Sequence, residues 1–209
     1  MTDNAPTTHQ VPEVLNVPGP NEETIAMVQR SGARVIAEIG VYEGATSERL
    51  AGIAGERQGQ LHLFDFEDRV RAVATRLACA GYLGIVSHPN SRKLLDSYNW
   101  SLMKVLAEHQ RPIFDYVFID GAHLWSIDGL TFFLADRLLK PGGHLDFDDY
   151  TWSLAASETM NPSVLPITAE LHTQEQIDAQ QVALVVDLLV RRDGRYEEVV
   201  PHKVYRKIA

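Results

Sequence analysis

Short apolar runs alternate along the chain with longer segments whose apolar residues recur at helical spacing. Arg34-Val-Ile-Ala-Glu-Ile39, Gln60-Leu-His-Leu-Phe64, Gly84-Ile-Val-Ser-His88, Phe114-Asp-Tyr-Val-Phe-Ile119 and His144-Leu-Asp-Phe147 read as strands. Segments 22–31, 46–54, 68–80, 91–109 and 126–139 read as helices. Asn21 caps the first, a break is expected near Asn99 in the fourth, and Pro141-Gly142-Gly143 stops the fifth. A long helix is expected over 174–191, then a terminal pair of strands at 196–200 and 203–208. Strands that alternate with helices and are apolar along most of their length predict a parallel sheet covered on both faces.

Polar residues close each strand: Glu38, Asp65, Ser91, Asp120 and Asp148, spaced 26 to 29 residues apart. That spacing is the length of one strand-helix unit. Side chains on this rhythm gather along the carboxyl edge of the sheet, where ligands bind in open α/β folds.

The first of these ends is Glu38-Ile-Gly40-Val-Tyr42-Glu-Gly44-Ala-Thr46, which follows a strand and opens a helix. Gly40 lets a ligand approach the backbone, and Gly44 allows close helix-strand packing. The spacing departs from G-x-G-x-x-G, which disfavours a nicotinamide-dependent dehydrogenase, and the absence of G-K-[ST] excludes a P-loop. Glu38 would repel a phosphate and suits a cation or an amine. Asp65 can accept hydrogen bonds from ribose hydroxyls. Together they fit a nucleoside that carries an amino-acid tail and a positive sulfur, S-adenosylmethionine.

E-I-G-V-Y-E-G-A-T resembles motif I of the class I S-adenosylmethionine-dependent methyltransferases. The likeness covers about residues 22–209. It implies an α/β, Rossmann-like fold: a mostly parallel seven-stranded sheet with helices on both faces and a C-terminal antiparallel hairpin. By that resemblance Glu38 and Thr46 face the methionine end, Gly40 and Tyr42 lie beside the cofactor, Asp65 binds ribose, and Asn90 or Ser91 lies near the adenine.

Asp120-Gly-Ala-His123 ends the fourth strand, and Asp148-Asp149 follows the fifth. Neighbouring strand ends bring Asp120, Asp148 and Asp149 together, and such carboxylates repel unless a cation sits among them. Oxygen ligands favour Mg²⁺ or Mn²⁺ over zinc. Asp120 thus borders both the cofactor and the metal. Asp146 is set aside, on the expectation that it faces the other side of the sheet from Asp148. His123 is the expected general base, since a neutral imidazole accepts a proton near neutral pH; His144 has no assigned role. Asp-x-x-His followed by Asp-Asp resembles divalent-metal-dependent small-molecule O-methyltransferases. The catechol branch has lysine where this chain has His123, and some bacterial sugar O-methyltransferases have histidine. The resemblance therefore implies methyl transfer to a hydroxyl of a sugar or methylated oligosaccharide, a mannoside for example. A catechol or phenol acceptor is the alternative. Trp125, Tyr150 and Trp152 offer aromatic faces to such an acceptor, to the adenine or to the core.

Composition narrows this further. The 209 residues are 45% hydrophobic, with a formal net charge of −9 and one cysteine, Cys79. The acidic balance argues against nucleic acid as a partner. A lone thiol forms no internal disulfide. No apolar run approaches the roughly 20 residues of a membrane span, so a cytoplasmic enzyme is expected. Pro6, Pro12, Pro18 and Pro20 mark residues 1–20 as an extended or mobile arm that Val11, Val14, Leu15 and Val17 could dock, ahead of one domain over 21–209. Segment 151–174 lacks a regular pattern and is a candidate substrate lid. Ile177, Val185, Leu188 and Leu189 read as a core-facing stripe, and a homodimer is left open.

Overall fold

The computed structural model describes residues 19–209. The arm expected over 1–20, with its four valines and leucines, lies outside the described residues apart from Gly19 and Pro20.

Strands β1 (Val35–Ile39), β2 (Gln60–Phe66), β3 (Ile85–Asn90), β4 (Phe114–Ile119), β5 (Leu139–Phe147), β6 (Tyr196–Val200) and β7 (Val204–Lys207) form one sheet. Its order is β3-β2-β1-β4-β5-β7-β6. The first five strands run parallel. β7 is antiparallel to both β5 and β6, so the terminal hairpin enters the sheet with its second strand innermost. Helices α1 (Glu22–Ser31), α2 (Ala45–Glu56) and α3 (Glu67–Cys79) cover one face. Helices α4 (Tyr98–Glu108), α5 (Trp125–Leu138) and, after the short α6 (Ile167–Leu171) and α7 (Gln174–Asp178), α8 (Gln181–Val185) cover the other.

Strand alternation divides the core between these layers. On β4, Tyr116 and Phe118 pack beneath α1–α3 with Leu50 and Val70. Val117 and Ile119 face Leu102, Phe132 and Val185 on the opposite side. All of these residues are buried. Ile177 and Val185 of the expected stripe are buried too, Leu189 packs against the core, and Leu188 is exposed.

Three expected elements differ. The helix foreseen over 91–109 begins only at Tyr98, close to the break expected at Asn99. The Ser91 amide and hydroxyl both donate to Asp96 Oδ2 (2.7 and 2.6 Å), and Ser97 caps the helix. Side chains that bond local backbone in this way compete with the helix ladder. The helix foreseen over 174–191 is three pieces. α7 (Gln174–Asp178) starts from a Thr173 capping box, extended Ala179 interrupts it, and α8 runs into a π-turn at Val186–Val190. Finally, β5 starts at Leu139, directly after α5, so Pro141-Gly142-Gly143 lies inside the strand. A bulge opposite Phe114 and Tyr116 accommodates it.

His62 on β2 and His88 on β3 form a dyad inside the sheet, Nδ1 to Nε2 2.9 Å, against the edge of Phe114. Burial lowers the pKa of His62 to about 3 and that of His88 to about 4, and neighbouring histidines add to both shifts. The unfolded chain takes up these protons near the ordinary histidine value, before the native state can, so stability falls as pH drops from 6.5 towards 4. For His62 the loss by pH 5 is about 2 kcal/mol. Urea midpoints measured at pH 7 and pH 5 should show that drop, and a His62→Phe variant should show a smaller one.

Candidate active site

β1 pairs with β2 on one side and with β4 on the other, so the chain's winding reverses at its carboxyl end. Such switch points open a crevice between the flanking loops. A cavity of about 990 Å³ occupies this one.

One wall is the turn after β1. Gly40 has φ +91°, and a Cβ there would lie 1.8 Å from the Asp120 carbonyl oxygen, so only glycine lets the ends of β1 and β4 meet. The Gly40 amide donates to Phe64 O, and the Val41 and Tyr42 amides donate to Asp65 Oδ2 at 2.8 and 3.0 Å. Asp65 thus shapes the turn, and among the described residues its Oδ1 accepts only its neighbour's amide, Phe66 N. A second lone pair on that oxygen is left for a ligand. Tyr42 is 38% exposed, with Arg69 5.1 Å from its ring, so it belongs to the cavity and not to the core.

Glu38 lies beneath this turn, buried at 1% exposure. Its Oε2 has no hydrogen-bond partner among the described residues. Burial pushes its pKa up to about 8, with the Ser47 hydroxyl opposing the shift and Asp120 and Asp65 adding to it. A cation brought alongside would restore the carboxylate. Thr46 lines the cavity, but its hydroxyl accepts the Asn21 amide (3.0 Å) and ties α1 to α2. Asn90 is buried at the far end, with Oδ1 unpartnered among the described residues. Ser91 does not line the cavity: Asp96 holds it, and Asp96, Ser97 and Tyr98 take that stretch of wall.

The opposite wall carries the acids. The Asp120 amide donates to Ile39 O, and the Asp148 amide donates to Ile119 O, which sets the three strand ends in step. Asp120, His123 and Asp149 converge, each offering a ligand atom within 4.8 Å of the others. His123 Nε2 is 3.3 Å from Asp149 Oδ2 and 3.9 Å from Asp120 Oδ1. Burial, then the Asp148 and Asp149 carboxylates, push Asp120 well above the usual carboxylate range. Asp149 is raised by burial, with His123 opposing and Asp148 adding. His123 (φ +55°) and Asp149 (φ +57°) both hold left-handed backbone, which few non-glycine residues adopt, Asp and His more readily than most, and which concentrates at functional sites.

Asp148 lies beside this cluster, close enough for its carboxylate to act on both Asp120 and Asp149. Lys203 Nζ approaches Asp148 Oδ1 at 3.5 Å and Asp146 Oδ1 at 3.1 Å. Asp146 therefore shares a side of the sheet with Asp148, against expectation. Residues two apart on a strand point the same way. Trp152 lines the large cavity with its ring 5.1 Å from that of His123. Tyr150 instead donates to Asp187 and packs on His202, beside a smaller cavity of about 270 Å³. Trp125 lines neither cavity. His144, four residues before Asp148 on β5, stacks on Tyr116 within the sheet.

Two supporting residues escape a reading of the sequence. The Tyr98 hydroxyl donates to Asp128 (2.6 Å) and accepts the Ala122 amide (2.8 Å), bracing the Asp120–His123 loop from below. An acid in the first turn of a helix, on the side that turns inward, Trp125-Ser-Ile-Asp128, was the available signal.

A family model described as a methyltransferase domain (Methyltransf_24) matches residues 37–150, more than half of the chain, and spans both walls of the site from Glu38 to Asp149. The chain belongs to that methyltransferase family. Solved structures share its fold. The O-methyltransferase TomG of Streptomyces achromogenes, in complex with S-adenosylmethionine, is 21% identical at a TM-score of 0.59, over 90% of this chain and 79% of that one. An O-methyltransferase of Bacillus cereus, in complex with S-adenosylhomocysteine, is 18% identical at 0.60, over 89% and 80%. A methyltransferase of Geobacter sulfurreducens is 10% identical at 0.54, over 90% and 78%. No curated protein matches the chain. With the methyltransferase family established, the dehydrogenase alternative falls away. Among the described residues, no helix is long and apolar enough to cross a membrane.

Proposed function

We propose that this methyltransferase moves a methyl group from S-adenosylmethionine to a hydroxyl of a sugar or methylated oligosaccharide, assisted by Mg²⁺ or Mn²⁺, with His123 as general base. One observation carries the reading. The unpartnered buried carboxyl of Glu38 and the Asp120–His123–Asp149 cluster face the same cavity, so both of its walls seek positive charge. Glu38, Gly40, Tyr42, Thr46, Asp65 and Asn90 would hold the cofactor. Asp120, Asp148 and Asp149 would hold the metal: hard oxygen donors suit Mg²⁺ or Mn²⁺, and a cation relieves the crowding that raises Asp120.

Once bound, the cofactor supplies a methyl on a positive sulfur, and the metal supplies a Lewis acid that favours an ionised hydroxyl. The chain's residues do the rest. His123 takes the hydroxyl proton, and Asp149, 3.3 Å away, stabilises the imidazolium that results. Trp152 gives a flat apolar face beside that base, suited to the carbon face of a pyranose. Ser157, Glu158 and Thr159 bring segment 151–174 to the cavity rim, where it can exclude water. Histidine at 123, where the catechol branch has lysine, supports a sugar over a phenol.

The test is calorimetric titration with S-adenosylhomocysteine, NAD serving as control, followed by an acceptor panel of methyl glycosides and catechols with and without chelator. We expect micromolar binding of the first ligand and none of NAD. Glycoside methylation should stop on chelation and return with Mg²⁺. Absence of S-adenosylhomocysteine binding overturns the cofactor assignment; turnover of catechols alone overturns the sugar.

A further inference from the structure

We propose that the smaller cavity is a second acceptor subsite, which takes a non-reacting ring of an oligosaccharide and uses His202 as a hydrogen-bond donor. The inference rests on the sugar reading above and narrows it from a sugar to an oligosaccharide. Glu23, Asp148, Tyr150, Thr151, His202 and Lys203 line this cavity of about 270 Å³. Asp149 lines both cavities, so the smaller one adjoins the position proposed for the reacting hydroxyl. Its volume lies below the roughly 300–1,000 Å³ of pockets that enclose a whole drug-sized ligand, so it suits one ring of a larger molecule. The Glu23, Asp148 and Asp149 carboxylates stand on its walls, and Lys203 is paired with Asp146 at 3.1 Å. That balance disfavours an anionic group and suits a neutral ring whose hydroxyls donate to carboxylates.

Asp187, Arg191, Glu198 and Tyr205, which the proposed methyl transfer does not use, fix Tyr150 and His202 in this wall. The Tyr150 hydroxyl donates to Asp187 Oδ2 at 2.9 Å. Arg191 donates to Asp187 Oδ1 at 3.0 Å and to Glu198 Oε1 at 2.7 Å, and the Tyr205 hydroxyl donates to the same Glu198 oxygen at 3.0 Å. Arg191 Nη2 also lies 3.1 Å from His202 Nδ1. A guanidinium only donates, so Nδ1 accepts, and the neutral imidazole carries its proton on Nε2 as a donor. The His202 amide donates to Glu198, and its backbone is left-handed, with φ +61°. Asp187 belongs to the π-turn at Val186–Val190, a backbone form frequent at functional sites. The His202 ring packs on that of Tyr150 with centroids 4.4 Å apart. A fixed aromatic pair, an imidazole donor and carboxylate acceptors therefore share one small cavity. They match a sugar ring, whose carbons need an apolar surface and whose hydroxyls both donate and accept.

Calorimetry on the full chain, with Mg²⁺ and saturating S-adenosylhomocysteine, tests this. The probes are methyl mannoside and methyl glucoside against mannobiose and cellobiose. At least one disaccharide should bind at least tenfold more tightly than the methyl glycoside of the same sugar. In His202→Ala that advantage should fall below threefold. A merely structural histidine would loosen both probes alike and leave their ratio unchanged. If the thermal melt shows that His202→Ala does not fold, Glu23→Gln, at the exposed start of α1, takes its place with the same expected loss. Disaccharides that bind no more tightly than the methyl glycosides overturn the inference and leave the sugar reading standing, as does an advantage kept in the folded variant. Failure of every sugar to bind overturns both.

Discussion

Replacing His123 with alanine should lower turnover by about 10²–10⁴-fold, the range general-base catalysis supplies, while S-adenosylhomocysteine affinity stays within about twofold. The imidazole sits on the acid wall, across the cavity from the turn proposed to hold the cofactor, so its loss removes a proton acceptor and no cofactor contact. Turnover and kcat/KM should fall together, the mark of an interaction realised in the transition state. Mn²⁺ affinity separates base from ligand, because His123 also lies within ligating distance of Asp120 and Asp149. Affinity near the parent's assigns the proton role. A collapse of affinity parallel to turnover would make the imidazole a metal ligand and leave the reaction without this base.

The strain around His123 supports a functional role. A left-handed histidine costs of order 1–3 kcal/mol and persists only where its surroundings over-determine it. Here Tyr98 does so from below, bonding both Asp128 and the Ala122 amide. Gly121 completes the fit, since a Cβ there would meet the Tyr98 hydroxyl at 2.4 Å.

Much of this arrangement is legible in the amino-acid sequence. The 26-to-29-residue rhythm of strand-closing polar residues places Glu38, Asp65 and Asp120 on one cavity, because each parallel strand-helix unit returns the chain to the same edge. The rhythm says where a strand ends and nothing about what the side chain then meets. Ser91 keeps the beat yet turns to Asp96, five residues on, in a loop whose local hydrogen bonds outweigh the helix. Asp148 keeps it too and turns to Lys203, 55 residues on. No local pattern foretells that contact, which depends on the second hairpin strand entering the sheet ahead of the first. The displacement of Asp146 is different in kind: alternation along β5 puts it beside Asp148, so that pairing was readable from the strand alone.

Asp120→Asn should separate stability from activity. Burial and two neighbouring carboxylates raise the Asp120 pKa, so the native state binds this proton more tightly than the unfolded chain does. Its contribution is favourable at low pH and is lost as pH rises from the ordinary carboxylate range through the raised native value. Asparagine keeps the shape and cannot ionise. In metal-free buffer at pH 7 the variant should therefore be more stable than the parent, by about 1 kcal/mol or roughly 2–4 °C in Tm, and the difference should close by pH 3. Saturating Mg²⁺ should shrink or reverse the gap, because a ligand bound only by the native parent stabilises it by mass action. Turnover should fall about 10²–10³-fold in the same variant, the cost of removing a charge aimed at the reacting oxygen. Thermal melts at pH 3 and 7, with and without Mg²⁺, and one rate measurement decide it. If the variant is less stable at pH 7 without metal, the carboxylates are not in conflict and no cation is needed among them. If it is more stable yet fully active, the acid wall is a structural burden without a catalytic function.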